Sequence, residues 1–340
     1  MWDVAIWGGG VIGMAIAIEL RLHGAEVIVI ERQQPGRGAS WAAAGMLAPG
    51  AEQLEPGALR TLAETSLALY PQWAAQIEAL SGLPSGYWPC GILQPWADER
   101  GQWSQAELRQ HQPGLATWVQ SATWRPEEGQ VDNRQLIPAL EATLVTKGVT
   151  LYRDTAVTGW QVEGDRLVSL QTSAGPIRAE QYIMATGAWS AELLPLPVRP
   201  LKGQMLAVQA PNMALKHVLF GESVYIVPRR DRRIIIGATV EDVGFSSGNT
   251  AASVQQLLNV AIALYPPIAA MPLIDMWWGF RPSSPDLEPI LGASPYRNLT
   301  LATGHHRNGI LLAPATAIAI RQYLDGDAID LSAFSWQRFK

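Results

Sequence analysis

The chain has 340 residues, 48% of them hydrophobic and 16% charged, and 25 Lys and Arg against 30 Asp and Glu leave a formal net charge of −5. A chain this long buries a core without disulfide or metal staples. Its hydrophobicity excludes disorder, and the lack of a basic field argues against a nucleic-acid partner. The single cysteine, Cys90, excludes an internal disulfide and a multi-cysteine metal site, and fits a reducing cytoplasm.

Met1–Leu20 is apolar but holds Asp3, three glycines and Glu19. It reads as a buried strand and a buried helix rather than a signal peptide or membrane span. The strand is Asp3–Trp7, and Gly8-Gly9-Gly10 follows it. A helix is predicted over Val11–His23, with Gly24 as its C-cap, and Glu26–Glu31 is a β-branched parallel strand. Pro35–Pro49 is a loop of small residues, which lets backbone approach a ligand closely. Helices are predicted at Ala58–Leu80 and Asn133–Lys147, and a strand at Val149–Arg153. Three short strands between Ala156 and Arg178 form an antiparallel meander, and Gln181–Ala185 is a further buried strand. Strands between Val198 and Ala238 include Val224–Pro228 and Arg233–Gly237. Ala251–Tyr265 is a helix, Asp275–Phe280 and Leu299–Thr303 are strands, and Gly309–Leu324 is the last helix.

Helix–strand alternation at both ends brackets a strand-rich middle. The expected fold class is α/β with an α+β second domain. A Rossmann-like nucleotide-binding domain with a βαβ fingerprint is expected from residues 1–80, 133–195 and 285–340. An antiparallel-sheet substrate domain is expected from 81–132 and 196–284.

The glycines Gly8, Gly10 and Gly13 fit G-x-G-x-x-G between a strand and a helix. Gly8 permits the tight turn, Gly10 lets backbone reach a pyrophosphate, and Gly13 lets helix and strand pack closely. The helix N-terminus attracts phosphate, and Glu31, at the end of the second strand, can accept from ribose hydroxyls. Two further segments, Ile183–Gly187 and Ala302–Ile310, return glycine-bearing turns toward the same place. Three returning segments suit FAD better than a nicotinamide cofactor.

The fingerprint, Ala42–Ala48, Tyr225–Arg229, Gly237–Thr239, Gly279–Pro282 and Gly304–Pro314 together make the sequence resemble the glycine oxidase branch of the D-amino-acid oxidase superfamily. The resemblance spans nearly the whole chain. It implies FAD-dependent oxidation of glycine, and often of sarcosine and small D-amino acids, with hydrogen peroxide as a product. It further implies supply of a glycine-derived imine to thiamin thiazole formation. The FAD contacts it implies are Val11, Ile12, Glu31, Arg32, Ala39, Ser40, Ala44, Gly45, Met46, Val157, His305, His306, Arg307, Asn308, Gly309, Ile310 and Leu311. The chain departs from the family pattern at His306, Val240 and Ser223, which bears on substrate preference. Family members with covalent flavin use a late cysteine that this chain lacks, so non-covalent FAD is expected. A homo-oligomer is also expected, with a tetramer as one option.

Arg281 is the foremost substrate-binding candidate, because a guanidinium holds a carboxylate bidentately and keeps its charge when desolvated. The alternative is an ion pair with Asp286 or Glu288. Tyr225 can donate to the same carboxylate or simply pack in its strand. Arg307 lies near the substrate or pairs with a carboxylate elsewhere. No protein base is required, since the flavin does the chemistry. The helix Ile310–Leu324 points its N-terminus at the flavin and stabilises negative charge there. His305 and His306 are adjacent and do not form a metal pair. Trp41, Trp277 and Trp278 flank the motifs and are candidates to line the site. Rival readings are a sarcosine oxidase, a D-amino-acid oxidase, a D-amino-acid dehydrogenase and a non-catalytic flavin-binding sensor.

Overall fold

A computed structural model describes residues 1–340. Its first sheet has six strands in the order Ile290–Ala293, Leu299–Thr303, Ala179–Met184, Trp2–Trp7, Val27–Ile30 and Thr150–Tyr152. All neighbours run parallel except the first pair. Such strands are buried on both faces, which is why Val27–Ile30 reads Val-Ile-Val-Ile without a polar residue. The two-residue period divides them. Val4, Ile6, Val27, Val29 and Ile183 face the helices Val11–Leu22, Ala58–Ser81, Asn133–Thr146 and Gly309–Asp325. Ala5, Trp7, Ile28, Ile30, Tyr182 and Met184 face the other way, onto the meander Val157–Glu163, Arg166–Thr172 and Gly175–Ile177.

The second sheet has eight strands in the order Leu273–Ser283, Arg199–Gln209, Arg233–Gly237, Tyr225–Pro228, Val218–Phe220, Ile92–Trp96, Ser121–Arg125 and Trp103–Ser104. Only Val218–Phe220 and Ile92–Trp96 pair in parallel. The helix Ala251–Leu264 covers one face through Leu257, Ala261 and Leu264. A small sheet of Met46–Leu47, Gly129–Val131 and Tyr87–Trp88 joins the small-residue loop to the strand-rich region.

Several expectations shift. The Pro35–Pro49 loop carries a short helix, Ala39–Ala42, and the strand Met46–Leu47. The edge strand runs Leu273–Ser283 rather than Asp275–Phe280, and its edge position is what tolerates Pro282. The Ile290–Ala293 strand and the elements within 81–132 were not foreseen. No helix is long and apolar enough to cross a membrane.

Candidate active site

The strand Trp2–Trp7 ends at a cavity of about 310 Å³. Gly8 there has φ +112°, and a Cβ on it would stand 2.4 Å from the Ala185 carbonyl oxygen. A Cβ on Gly13 would stand 1.9 Å from the Gly8 carbonyl oxygen, so both glycines are required by close backbone approach. The helix Val11–Leu22 begins after Gly10, which offers no side-chain cap. Ser40 Oγ, from the short helix Ala39–Ala42, takes that part, accepting the Val11 N–H at 3.0 Å. Gly10, Val11 and Ile12 all line the cavity, so the positive end of the helix faces it. Glu31 accepts from the Gly9 N–H at 2.8 Å and the Gln33 N–H at 3.0 Å, which fixes its carboxylate at the rim. Arg32 lies over the Trp189 ring, 3.9 Å from its centroid. Ala39, Ser40 and Val157 complete the wall expected from the sequence.

A second cavity, of about 430 Å³, opens between the two sheets. It shares Ala39, Ala43, His306, Arg307 and Ile310 with the first, so the two meet at a common waist. Arg281 and Tyr225 enter it from the second sheet. Each is admitted by a glycine on a neighbouring strand. A Cβ on Gly203 would stand 2.5 Å from Arg281 Nη1, and one on Gly237 would stand 2.5 Å from the Tyr225 ring. Arg281 Nη1 donates to the carbonyls of Thr239 at 3.1 Å and Lys202 at 3.4 Å. These carbonyls aim the guanidinium but do not neutralise it. The alternative partner Asp286 is bound instead to Arg338 at 2.7 Å. Burial raises the Tyr225 phenol above its ordinary value, so its hydroxyl stays protonated and able to donate.

Sequence reasoning missed Glu52. It lines the second cavity with Oε2 3.4 Å from Arg307 Nε. Burial raises its pKa, against the opposing pull of Arg307 and then Arg281. Its loop is pinned from below. Glu128 accepts from the N–H groups of Gly50 and Ala51, and Gln94 donates to the Ala51 carbonyl at 2.8 Å. Burial pushes Glu128 up to about 7. Only the fold brings this loop to Arg307, and no motif announces it.

The floor shared by both cavities is the Ala39–Met46 segment. Buried Arg229 donates to the carbonyls of Ala44 at 2.8 Å and Val131 at 3.2 Å. Asn133 donates to those of Ser40 at 2.8 Å and Trp41 at 2.7 Å. These bonds fix the segment from the side opposite the cavities.

The family described as FAD dependent oxidoreductase matches residues 3–323. The chain belongs to that family. The bifunctional protein ThiO/ThiG of Trichormus variabilis is 49% identical over 360 residues, covering 99% of this chain and 55% of that protein. The chain therefore spans about half the length of the ThiO/ThiG relatives it matches. Glycine oxidase of Pseudomonas aeruginosa is 35% identical, with 95% of this chain and 94% of that protein covered. The crystal structure of glycine oxidase from Geobacillus kaustophilus superimposes with a TM-score of 0.93 at 34% identity, covering 99% of this chain and 98% of that one. The fold is that of these FAD dependent oxidoreductases, with a Rossmann-like cofactor half.

This FAD dependent oxidoreductase does not place every expected contact on a cavity wall. Gly13, Asn308 and Leu311 lie behind the linings. Gly13 serves packing, Asn308 is buried ahead of the last helix, and the Leu311 carbonyl accepts from Ser66 at 2.6 Å. Ala44, Gly45 and Met46 line the second cavity rather than the first. Trp41, Trp277 and Trp278 line neither, whereas Trp7 and Trp189 line the first. The indole of Trp277 donates to the Ala42 carbonyl at 3.0 Å, and Trp278 points outward on the sheet edge. His305 and His306 turn to different partners, Thr316 at 3.3 Å and Ser283 at 2.7 Å. Burial pushes both down to about 3, so they are neutral near pH 7. Val240 and Ser223 stand at the exposed side of the second cavity. Cys90 lines neither cavity, and burial pushes its thiol up to about 11.

Proposed function

We propose that this chain oxidises glycine with FAD and O2, giving glyoxylate, ammonia and hydrogen peroxide, and that sarcosine and small D-amino acids are further substrates. The observation that carries the proposal is the waist. A cavity bearing an arginine with no carboxylate partner opens directly onto a cavity built around a dinucleotide fingerprint.

The residues of the first cavity fit FAD. Glu31 would hold the ribose hydroxyls, and the N-terminus of the helix Val11–Leu22 would hold the pyrophosphate. The waist residues His306, Arg307 and Ile310, with Ala44, Gly45 and Met46 in the second cavity, would hold the flavin end of the cofactor. FAD, when bound there, supplies two-electron oxidation of an amine and reoxidation by O2.

The protein's own contributions are binding and electrostatics. Arg281 takes the substrate carboxylate, and the Tyr225 hydroxyl donates to it. The carbonyl contacts of Arg281 restrict it to one pose, which fixes the amino end toward the waist. The helix Gly309–Asp325 starts at the waist and favours negative charge on the reduced ring. Residues 1–80, 133–195 and 285–340 form the cofactor domain in this reading, and 81–132 and 196–284 the substrate domain. The reaction supplies a glycine-derived imine to thiazole formation in thiamin synthesis. A cytoplasmic location suits the buried free thiol, and the apolar edge residues Leu273, Ile274, Met276 and Trp278 suit a homo-oligomer.

Anaerobic titration of the yellow protein with glycine tests the reading. Bleaching of oxidised flavin, reversed by air with release of peroxide, is the expected result. A yellow protein that glycine leaves unbleached would exclude glycine as the substrate.

A further inference from the structure

We infer that Glu52 restricts the second cavity to substrates with a single carboxylate, by serving as a built-in counter-ion to Arg307. The inference rests on reading this cavity as the amino-acid site. Two guanidiniums reach the cavity, those of Arg281 and Arg307. Two free guanidiniums would recruit a dicarboxylate. They are not equally free. Arg281 hydrogen-bonds carbonyl oxygens and forms no ion pair, feeling Glu52 only as a weaker, more distant charge than Arg307 does, so its charge is left to the substrate. Arg307 already faces the Glu52 carboxylate at 3.4 Å.

The mobility of the two partners differs in the direction the inference needs. Glu52 has 8% of its side chain exposed and Arg307 has 47%. The glutamate is also held by its loop. Glu128 and Gln94 bind the backbone of Gly50 and Ala51 immediately before it. Its backbone is thus anchored, and its buried side chain has little open solvent to move into when an anion arrives. A second carboxylate directed at Arg307 would therefore displace an established ion pair and lie beside a like charge. In a partly desolvated cavity both effects oppose binding. A monocarboxylate seated on Arg281 meets neither obstacle. The charge count is thus two cations and one internal anion, which leaves one position for substrate.

Equilibrium binding tests this without turnover. Succinate and butyrate present the same chain length with two carboxylates or one. Each is titrated into the FAD-loaded protein at pH 8, and dissociation constants are read from the perturbed flavin spectrum and by calorimetry. In Glu52→Gln the affinity for succinate relative to butyrate should rise at least tenfold over wild type, which is about 1.4 kcal/mol. The gain should vanish in the double variant Glu52→Gln/Arg307→Gln, and Glu52→Asp should restore most of the wild-type discrimination. Glu52→Ala should give the same sign and serves if the glutamine variant does not hold FAD. For turnover, the matched pair is sarcosine and iminodiacetate, with the ratio of kcat/KM shifting toward iminodiacetate. An unchanged succinate-to-butyrate ratio in both Glu52 variants would overturn the inference, as would a gain that survives loss of Arg307. The two readings fail separately. A shifted ratio in a protein that oxidises no amine would sink the oxidase and keep the counter-ion. An unshifted ratio in a working glycine oxidase would do the reverse.

Discussion

Gly203→Ala should disable the site without unfolding the protein. The new Cβ would stand 2.5 Å from Arg281 Nη1, 2.6 Å from Nη2 and 2.7 Å from Cζ. Ordinary contact begins near 3.4 Å, so the guanidinium must retreat by about 0.9 Å. The three nearest atoms all belong to one side chain end, which can yield before backbone does. Misplacement of a positioning group by about 1 Å can cost about 100-fold in rate. The expected result is a fall in kcat/KM for glycine of about that size, or ~2.7 kcal/mol. Stability should hold, since alanine in a strand interior gains about 0.5–1 kcal/mol over glycine. That gain offsets part of the displacement, and the melting temperature should move by a few degrees at most. Peroxide release gives the kinetics, and circular dichroism gives the melt. Wild-type kcat/KM would refute the placement of Arg281, and loss of cooperative melting would show that the sheet takes up the clash instead.

Gly13→Ala meets backbone, not a side chain end, with its Cβ 1.9 Å from the Gly8 carbonyl oxygen. It should lower the melting temperature and deplete FAD together; a stable, fully yellow protein would contradict the close approach. Glu31→Ala removes the acceptor of the Gly9 and Gln33 N–H groups at the rim of the first cavity; only the Gly9 N–H is buried, so the cost falls toward the lower end of about 1–3 kcal/mol. FAD should be lost on dialysis, and full occupancy afterwards would remove Glu31 from the cofactor's partners. Buried His305 and His306, near 3 against an ordinary 6.5, make the unfolded chain bind more protons than the fold as pH falls from about 6.5 to 3. Their stabilisation is present above 6.5 and lost on acidification. Glu128, near 7 against 4.5, acts oppositely between those values. From these three groups the net is one proton, about 1.4 kcal/mol per pH unit, between 4.5 and 6.5, and two protons, about 2.7, below 4.5. Denaturant midpoints measured across pH should steepen below 4.5, and a slope that flattens there would count against neutral buried histidines.

The cofactor half was legible because its signals are local. A β-branched strand, a glycine turn and a helix follow one another within the first 31 residues, and each constrains the next. Arg281 and Tyr225 were reached through motif resemblance, and the structure places both in one cavity. The second sheet was less legible. Within 81–132 the strands run two to five residues, too short for alternation to register, and Ile92–Trp96 contains Pro95. Gly203 and Gly237 are the ambiguous signal of glycine inside a strand, which marks either a bulge or a close approach. Only the positions of Arg281 and Tyr225 resolve it. Glu52 gave no signal at all, since its partners lie far along the chain and its loop has no motif.

The small-residue loop has a physical reason that the sequence only hinted at. It is compressed from several sides. A Cβ on Gly45 would stand 2.0 Å from the Val131 carbonyl oxygen, and one on Gly279 would stand 2.3 Å from Ala42 Cβ. Segments from the small three-stranded sheet and the eight-stranded sheet thus close on the same few residues, and larger side chains would push the cavities apart. Close packing alone would leave the loop's carbonyls unpaired in a dry interior, which is costly. Arg229 and Asn133 satisfy them. Burial pushes Arg229 only down to about 10, so it is still charged at neutral pH, with Asp132 Oδ1 3.8 Å away. The charge therefore strengthens the bonds it makes to the loop. The floor of the waist is thus held by a buried cation and a buried amide of the protein. On the proposed reading, cofactor and substrate would meet a surface whose ordering cost folding has already met.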